Sequence, residues 1–278
     1  MKRRDALKIA GATAFSVISA SAVSAEASPP TRQKIIMVHG SWHWGACFEK
    51  VSNFLAEAGC AVATPDLKSH GFDESRYDSF STMGEYVQPV EKMLQESREP
   101  VVLLGHSMGG ATLTYLGEKY PEKISKLIYL TAFMVPQGKT VLDYTKADAT
   151  NPQKREILAI VKLVGDGRGL ELDTTRRDLV KAAFYGDCSD HDVNIAIKNC
   201  VPITSTVPYA VVSEITADRF GKIPRVFIEC SMDKAIPIES QRQMAADVPG
   251  AKIISIDTSH SSFFSRPAEL AHIILENT

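Results

Sequence analysis

Ser107 stands in Gly105-His106-Ser107-Met108-Gly109, a serine two residues from a glycine on either side. The apolar run Val101-Val102-Leu103-Leu104 precedes it, and a helix-forming stretch, 110–120, follows at once. A sharp strand-to-helix turn crowds the backbone, glycines at 105 and 109 relieve the crowding, and Ser107 is left exposed as a nucleophile. The N–H groups that open the helix favour negative charge beside it. The plain alternative is a tight turn, so the other reactive groups decide.

A serine attacks only when a base takes its proton, and the base is a histidine oriented by a carboxylate. Of seven histidines, His260 follows the apolar run 252–256 by four residues, in Asp257-Thr258-Ser259-His260-Ser261. That loop opens at the edge where Ser107 must lie. His106 adjoins Ser107 and should point away from it, in a packing or polar role. His39 and His43 border the loop after the first strand, His70 lies in a turn, and His191 and His272 fall on expected helices. For the carboxylate, Asp233 follows the run 225–229 and so meets the same edge. Asp257 is nearer to His260 in sequence but would have to fold back on its own loop. The order Ser107, Asp233, His260 suits an acyl-transfer triad.

An oxyanion needs two N–H donors. Met108, directly after the serine, supplies one, and Ser41 in His39-Gly40-Ser41-Trp42 supplies the other. Trp42 and Trp44 are either pocket walls or core. The reaction needs no metal or organic cofactor, and five cysteines without CxxC spacing argue against a zinc site. Cys188 and Cys200 are close enough in sequence to pair, with buried free thiols as the alternative.

These groups require strands to carry them. Apolar runs at 34–38, 60–64, 101–104, 126–130, 225–229 and 252–256 read as buried strands. Helical spacing at 48–58, 83–97, 110–120, 238–247 and 267–276 alternates with them, giving an α/β fold with a mostly parallel sheet and helices on both faces. The rhythm breaks after Phe133. From about 135 to 218 the chain reads as a helical cap, with helices at 152–164, 174–185 and 190–199, over the carboxyl edge where ligands bind. Leu142, Tyr144, Phe184 and Tyr185 are its candidate pocket residues.

The chain has 278 residues, 44% hydrophobic and 23% charged, enough for one large domain at 28–278. A net charge of −2 leaves no basic footprint for nucleic acid. Residues 1–27 combine a basic start, an Ala- and Ser-rich middle and small residues near Ala25, as an export signal does. Arg3-Arg4 resembles the twin-arginine signal, although Ala6 replaces its usual Phe, so the ordinary secretory route stays open. A short membrane anchor is the alternative, for which the apolar run is short. Cleavage after Ala25 removes four basic residues and one acidic one, taking the charge from −2 to −5. The expected product is a periplasmic or secreted protein with no stable membrane insertion.

Together the stretches VHGSWHWGACF, STMGEYVQPVEKML, VVLLGHSMGG, YPEKISKLIYLTAFMVP, DKAIP and SHSSFFSRPAEL resemble the α/β-hydrolase superfamily. The closer resemblance is to the branch of plant methylesterases, hydroxynitrile lyases and related bacterial esterases. AFYGDCSDHDVNIAIKNCVP is similar to the cap of its bacterial members. The resemblance implies a cap inserted after the sixth-strand region of that fold, and a small-molecule ester substrate. Lyases of the rubber-tree type carry Lys after the catalytic His and Thr in the first oxyanion loop. Here Ser261 follows His260 and Gly40 follows His39, which favours ester hydrolysis; dehalogenases of this fold use Asp where Ser107 stands. The alternatives are a lyase of the same fold and a ligand-binding protein with a vestigial triad.

Overall fold

The computed structural model describes residues 32–147 and 150–278. The export signal expected over 1–27 lies outside the described residues.

Six strands form one parallel sheet in the order β2-β1-β3-β4-β8-β9. They are β1 (Arg32–Val38), β2 (Cys60–Ala63), β3 (Val101–His106), β4 (Ile124–Leu130), β8 (Arg225–Cys230) and β9 (Ala251–Ile256). Side chains alternate across a strand, so each buried strand feeds two cores. Ile35, Met37, Val102, Leu104 and Ile128 face α1 (Glu49–Glu57) and α11 (Pro267–Glu276). Ile36, Val38, Leu103, Leu127 and Tyr129 face α2 (Met83–Glu96) and α3 (Gly109–Lys119).

Strand order reverses at β1: the chain leaves it for β2 on one side and returns as β3 on the other. Val38 therefore pairs with Gly105, and the loops after β1 and β3 leave the sheet side by side. Such a switch point leaves a crevice at the carboxyl ends, where ligands bind in open α/β sheets.

Between β4, fourth in this chain's order, and β8 the chain makes its long excursion. It holds α4 (Val141–Ala147), α5 (Arg155–Ile160), α6 (Arg177–Phe184), α7 (Asp190–Asn199) and the short α8 (Val207–Ala210). The expectation of a purely helical cap is corrected here. β5 (Val161–Val164), β6 (Gly169–Leu172) and β7 (Ile203–Ser205) form a second, antiparallel sheet. The helix expected over 152–164 stops at Ile160, where Val161 turns extended and pairs with Leu172, and Gly165, Asp166 and Gly167 turn the chain between the two strands with positive φ of 59°, 54° and 84°. Three successive left-handed residues turn a hairpin and cannot continue a helix.

After the excursion come α9 (Ile238–Asp247), then the one-turn α10 (Ser262–Ser265) before α11. Among the described residues, no helix is long and apolar enough to cross a membrane.

Candidate active site

Ser107 directly follows β3 and lies in the left-handed region, at φ 54°. For a residue with a side chain that conformation costs about 1–3 kcal/mol, and its surroundings must enforce it. They do: Ser107 N–H donates to Leu130 O (3.3 Å), and Ser107 O accepts from Gly110 N–H (3.1 Å) and Phe133 N–H (3.0 Å). A Cβ on Gly105 would come within 2.7 Å of Gly109 O, and one on Gly109 within 2.6 Å of Val38 O. Only glycine fits at either place.

His260 and Asp233 come from the loops after β9 and β8, which run together through Met232 N–H to Thr258 O, 3.0 Å. His260 Nδ1 lies 2.6 Å from Asp233 Oδ2, both residues buried. The same oxygen accepts from Thr131 Oγ1 at 2.5 Å, and Oδ1 accepts from the N–H groups of Ala235 (2.7 Å) and Ile236 (3.0 Å). Four donors fix the carboxylate, and charge-assisted bonds of this kind are the strong ones. Asp257 instead accepts from Ser231 Oγ at 2.8 Å. Among the described residues no hydrogen bond joins Ser107 Oγ to His260.

His106 meets the His260 loop. Its Nε2–H donates to His260 O (2.9 Å), and the ring centroids are 4.4 Å apart. Nδ1 has no partner among the described residues. Burial, with His260 nearby, holds its pKa well below the ordinary value, so His106 is neutral.

The loop after β1 faces the elbow. A Cβ on Gly40 would lie 2.7 Å from Ser107 Cβ and 3.2 Å from Ser107 Oγ, so glycine keeps that space open. His39 sets the orientation of the Gly40–Ser41 peptide. Its Nε2 accepts from Leu67 N–H (3.1 Å), which leaves Nδ1–H to donate to Gly40 O (2.9 Å). In a trans peptide the N–H points opposite to the carbonyl, so fixing Gly40 O aims Ser41 N–H. Neither Ser41 N–H nor Met108 N–H donates to an acceptor among the described residues.

His43 repeats the device one turn on. Nδ1–H donates to Ser41 O (2.9 Å), and Nε2 accepts from Tyr185 Oη (2.9 Å). Burial lowers its pKa to about 4. Ser41 Oγ lies 2.7 Å from Tyr209 Oη, whose pKa burial raises to about 12.

The pocket expectations divide. Trp42, at φ 62°, donates Nε1–H to Leu170 O of β6 (2.9 Å), with its ring 5.8 Å from that of Phe184. Phe184 in turn lies 5.6 Å from the His260 ring. Leu142 and Tyr144 pack on the buried cluster that contains Met108, Phe133 and Tyr209, and Tyr144 Oη donates to Asp247 (2.6 Å). Trp44 is buried against Phe264 and stacks on His43, and Tyr185 is fully buried. One cavity, about 800 Å³, lies over α2 and α3 and is not lined by Ser107. A second, about 480 Å³, is lined by Met232, Lys234 and Ser259, the chain neighbours of Asp233 and His260.

Cys188 and Cys200 do not pair; both are free thiols. Cys188 Sγ reaches Ser261 O (3.8 Å) and Cys200 Sγ reaches Tyr185 Oη (3.6 Å). Burial raises their pKa values to about 12 and about 11. Among the described residues no group of three or more His, Cys, Asp or Glu is placed to hold a metal ion.

Sequence reasoning missed Thr131, Tyr209 and Asp187. Thr131, just past the end of β4, had a signal in its place at the carboxyl edge. Tyr209 and Asp187 arrive with the excursion, and their sequence neighbourhood carries none.

A left-handed serine between a parallel strand and a helix, at the switch point of such a sheet, has the backbone form of the hydrolase elbow. The chain belongs to the alpha/beta hydrolase family, whose model matches residues 35–273. It is 33% identical over 243 residues to a pyrethroid hydrolase of Sphingobium wenxiniae, covering 87% of this chain and 86% of that one. With methylesterase 1 of Arabidopsis thaliana it shares 32% identity over 254 residues, covering 88% and 95%. A crystal structure of a pyrethroid hydrolase from Sphingobium faniae matches it with a TM-score of 0.80 at 32% identity, covering 88% and 96%.

Proposed function

We propose that the protein is a serine carboxylesterase that works through an acyl-enzyme on Ser107. The observation that carries the reading is the 2.6 Å bond between His260 Nδ1 and Asp233 Oδ2, on the edge where the elbow serine stands. With Nδ1–H held by the carboxylate, Nε2 is the free base. Ser107 Oγ attacks the ester carbonyl carbon and its proton passes to His260 Nε2. The C–O bond to the alcohol breaks, and the leaving oxygen takes that proton. Water then adds to the acyl group, again losing a proton to Nε2, and the acid departs as Ser107 regains its hydrogen. Through both tetrahedral stages the N–H groups of Ser41 and Met108 hold the oxyanion. The reaction as written uses no metal and no organic cofactor.

The aromatic groups near His260 and Ser41, namely Trp42, Phe184 and Tyr209, support small to medium esters with apolar or aromatic parts. The relatives named for pyrethroid and methyl ester hydrolysis make those two ester types the first to assay. We further propose that the chain is exported, on the twin-arginine-like start of residues 1–27. Mass spectrometry of the protein from a periplasmic fraction would then find its N-terminus near residue 26 or 28.

Ser107→Ala should lower kcat/KM for a short p-nitrophenyl ester by at least about 10³-fold, with the melting temperature nearly unchanged. Retention of most of the activity would overturn the assignment, and turnover of mandelonitrile in place of esters would move it to a lyase.

A further inference from the structure

We infer that Asp187 is a positioning residue for His260, an inference that rests on the triad reading above. It lies between α6 and α7, on a turn closed by Cys188 N–H to Tyr185 O (3.0 Å). Its Oδ1 accepts from Ser259 N–H (3.1 Å) and also from Ser259 Oγ. Ser259 directly precedes the base.

The loop around His260 is tied residue by residue to different parts of the molecule. Thr258 O accepts from Met232 N–H (3.0 Å), beside Asp233. Ser259 is held by Asp187, from the excursion. His260 O accepts from His106, on the elbow (2.9 Å), and Ser261 O from Cys188 Sγ (3.8 Å). Of these four ties, the one to Ser259 is charge-assisted and so the strongest in kind. Close approach supports it: a Cβ on Gly186 would sit 3.4 Å from Ser259 Cβ, and the Phe184 ring packs 5.6 Å from that of His260. The segment 184–188 thus grips the base loop. Asp187 Oδ2 has no partner among the described residues, which leaves the two bonds to Ser259 as the work of this carboxylate. A base displaced by even 1 Å loses its line to the serine, so the grip acts on turnover and not on ester binding.

Asp187→Ala should lower kcat by about 10- to 100-fold with KM within about twofold. Asp187→Asn keeps an oxygen acceptor for both Ser259 donors and should restore kcat to within about fivefold of wild type. The low-field proton resonance of His260 Nδ1–H should shift or broaden in Asp187→Ala and persist in Asp187→Asn. Ser259→Ala, which removes the hydroxyl donor alone, should have a smaller effect of the same kind, and adding it to Asp187→Ala should change little. If Asp187→Ala does not fold, Ser259→Ala carries the test by the same two readouts. Wild-type kcat and an unchanged resonance in the folded variant would overturn the inference. Ser107→Ala and His260→Ala assayed alongside separate the two failures: if those retain activity, the triad reading fails first.

Discussion

His39, His43 and His70 share one arrangement. Each donates Nδ1–H to a carbonyl on its own turn, those of Gly40, Ser41 and Lys68, and each accepts at Nε2 from a distant group. The distant donors are Leu67 N–H, Tyr185 Oη and Thr204 Oγ1. A carbonyl can only accept, so the proton sits on Nδ1; the Leu67 N–H then requires a neutral His39, and burial keeps His43 and His70 neutral so that their Nε2 atoms accept from the hydroxyls. In sequence these histidines show only that they border loops, since their second partners lie 28, 142 and 134 residues away. Gly40, beside the first of them, is open to direct test. Gly40→Ala drives a methyl group against Ser107 Cβ at 2.7 Å, with Ser107 Oγ at 3.2 Å, so serine or loop must yield. In the proposed mechanism, displacing the loop withdraws the Ser41 N–H from the developing oxyanion, which should remove about 10²–10³-fold from kcat. Steady-state kinetics should find that fall in kcat with KM little changed. A variant with wild-type kcat would show that the loop after β1 supplies no donor.

At the scale of elements, Trp42 joins two pieces that the sequence leaves apart. Its Nε1–H is bonded to Leu170 O on β6, and its own carbonyl accepts from Val201 N–H (2.9 Å). Trp42→Phe keeps an aromatic ring and removes that hydrogen bond to the second sheet, at about 0.5–1.5 kcal/mol. Thermal melting should show the loss, and kcat should fall with it because Trp42 follows Ser41 directly. The inner strands β3, β4 and β8 were legible because both their faces are largely buried, so each reads as a continuous apolar run, and the edge strands β2 and β9 keep enough apolar residues to read likewise. The hairpin was not. Ile157, Leu158, Ile160, Val161, Leu163 and Val164 form an apolar series that suits either a helix or a half-exposed strand, and only the left-handed backbone at 165–167 decides it. For the same reason Asp233 and His260 could be named from the ends of legible strands. Asp187 and Tyr209 could not, since their positions depend on how the excursion folds back.

Across the whole molecule the excursion is fastened to the sheet domain by neutral histidines, and that gives its stability a pH dependence. Burial lowers the pKa of both His43 and His70 from 6.5 to about 4. Each is bonded to the excursion, through Tyr185 and Thr204. In the unfolded chain both take up a proton below pH 6.5, while in the folded protein neither does until about pH 4. Between those limits the unfolded state binds more protons, so stability falls as pH falls. By pH 5 each histidine has removed about 2 kcal/mol, at 1.36 kcal/mol per unit. Two such groups remove about 4 kcal/mol from a domain whose total is of order 5–15 kcal/mol. His39 and His106, also pushed down by burial, act in the same direction. Glu229, held below its ordinary range by the Arg242 guanidinium, adds its share only at lower pH, where carboxylates titrate. The melting temperature should therefore hold nearly level from pH 8 to 6.5 and drop steadily from there to about pH 4. Unfolding by denaturant at pH 5 should take up at least about two protons. A melting temperature flat across that window would mean that these histidines are charged in the fold, and the tautomers assigned to His43 and His70 would then be wrong.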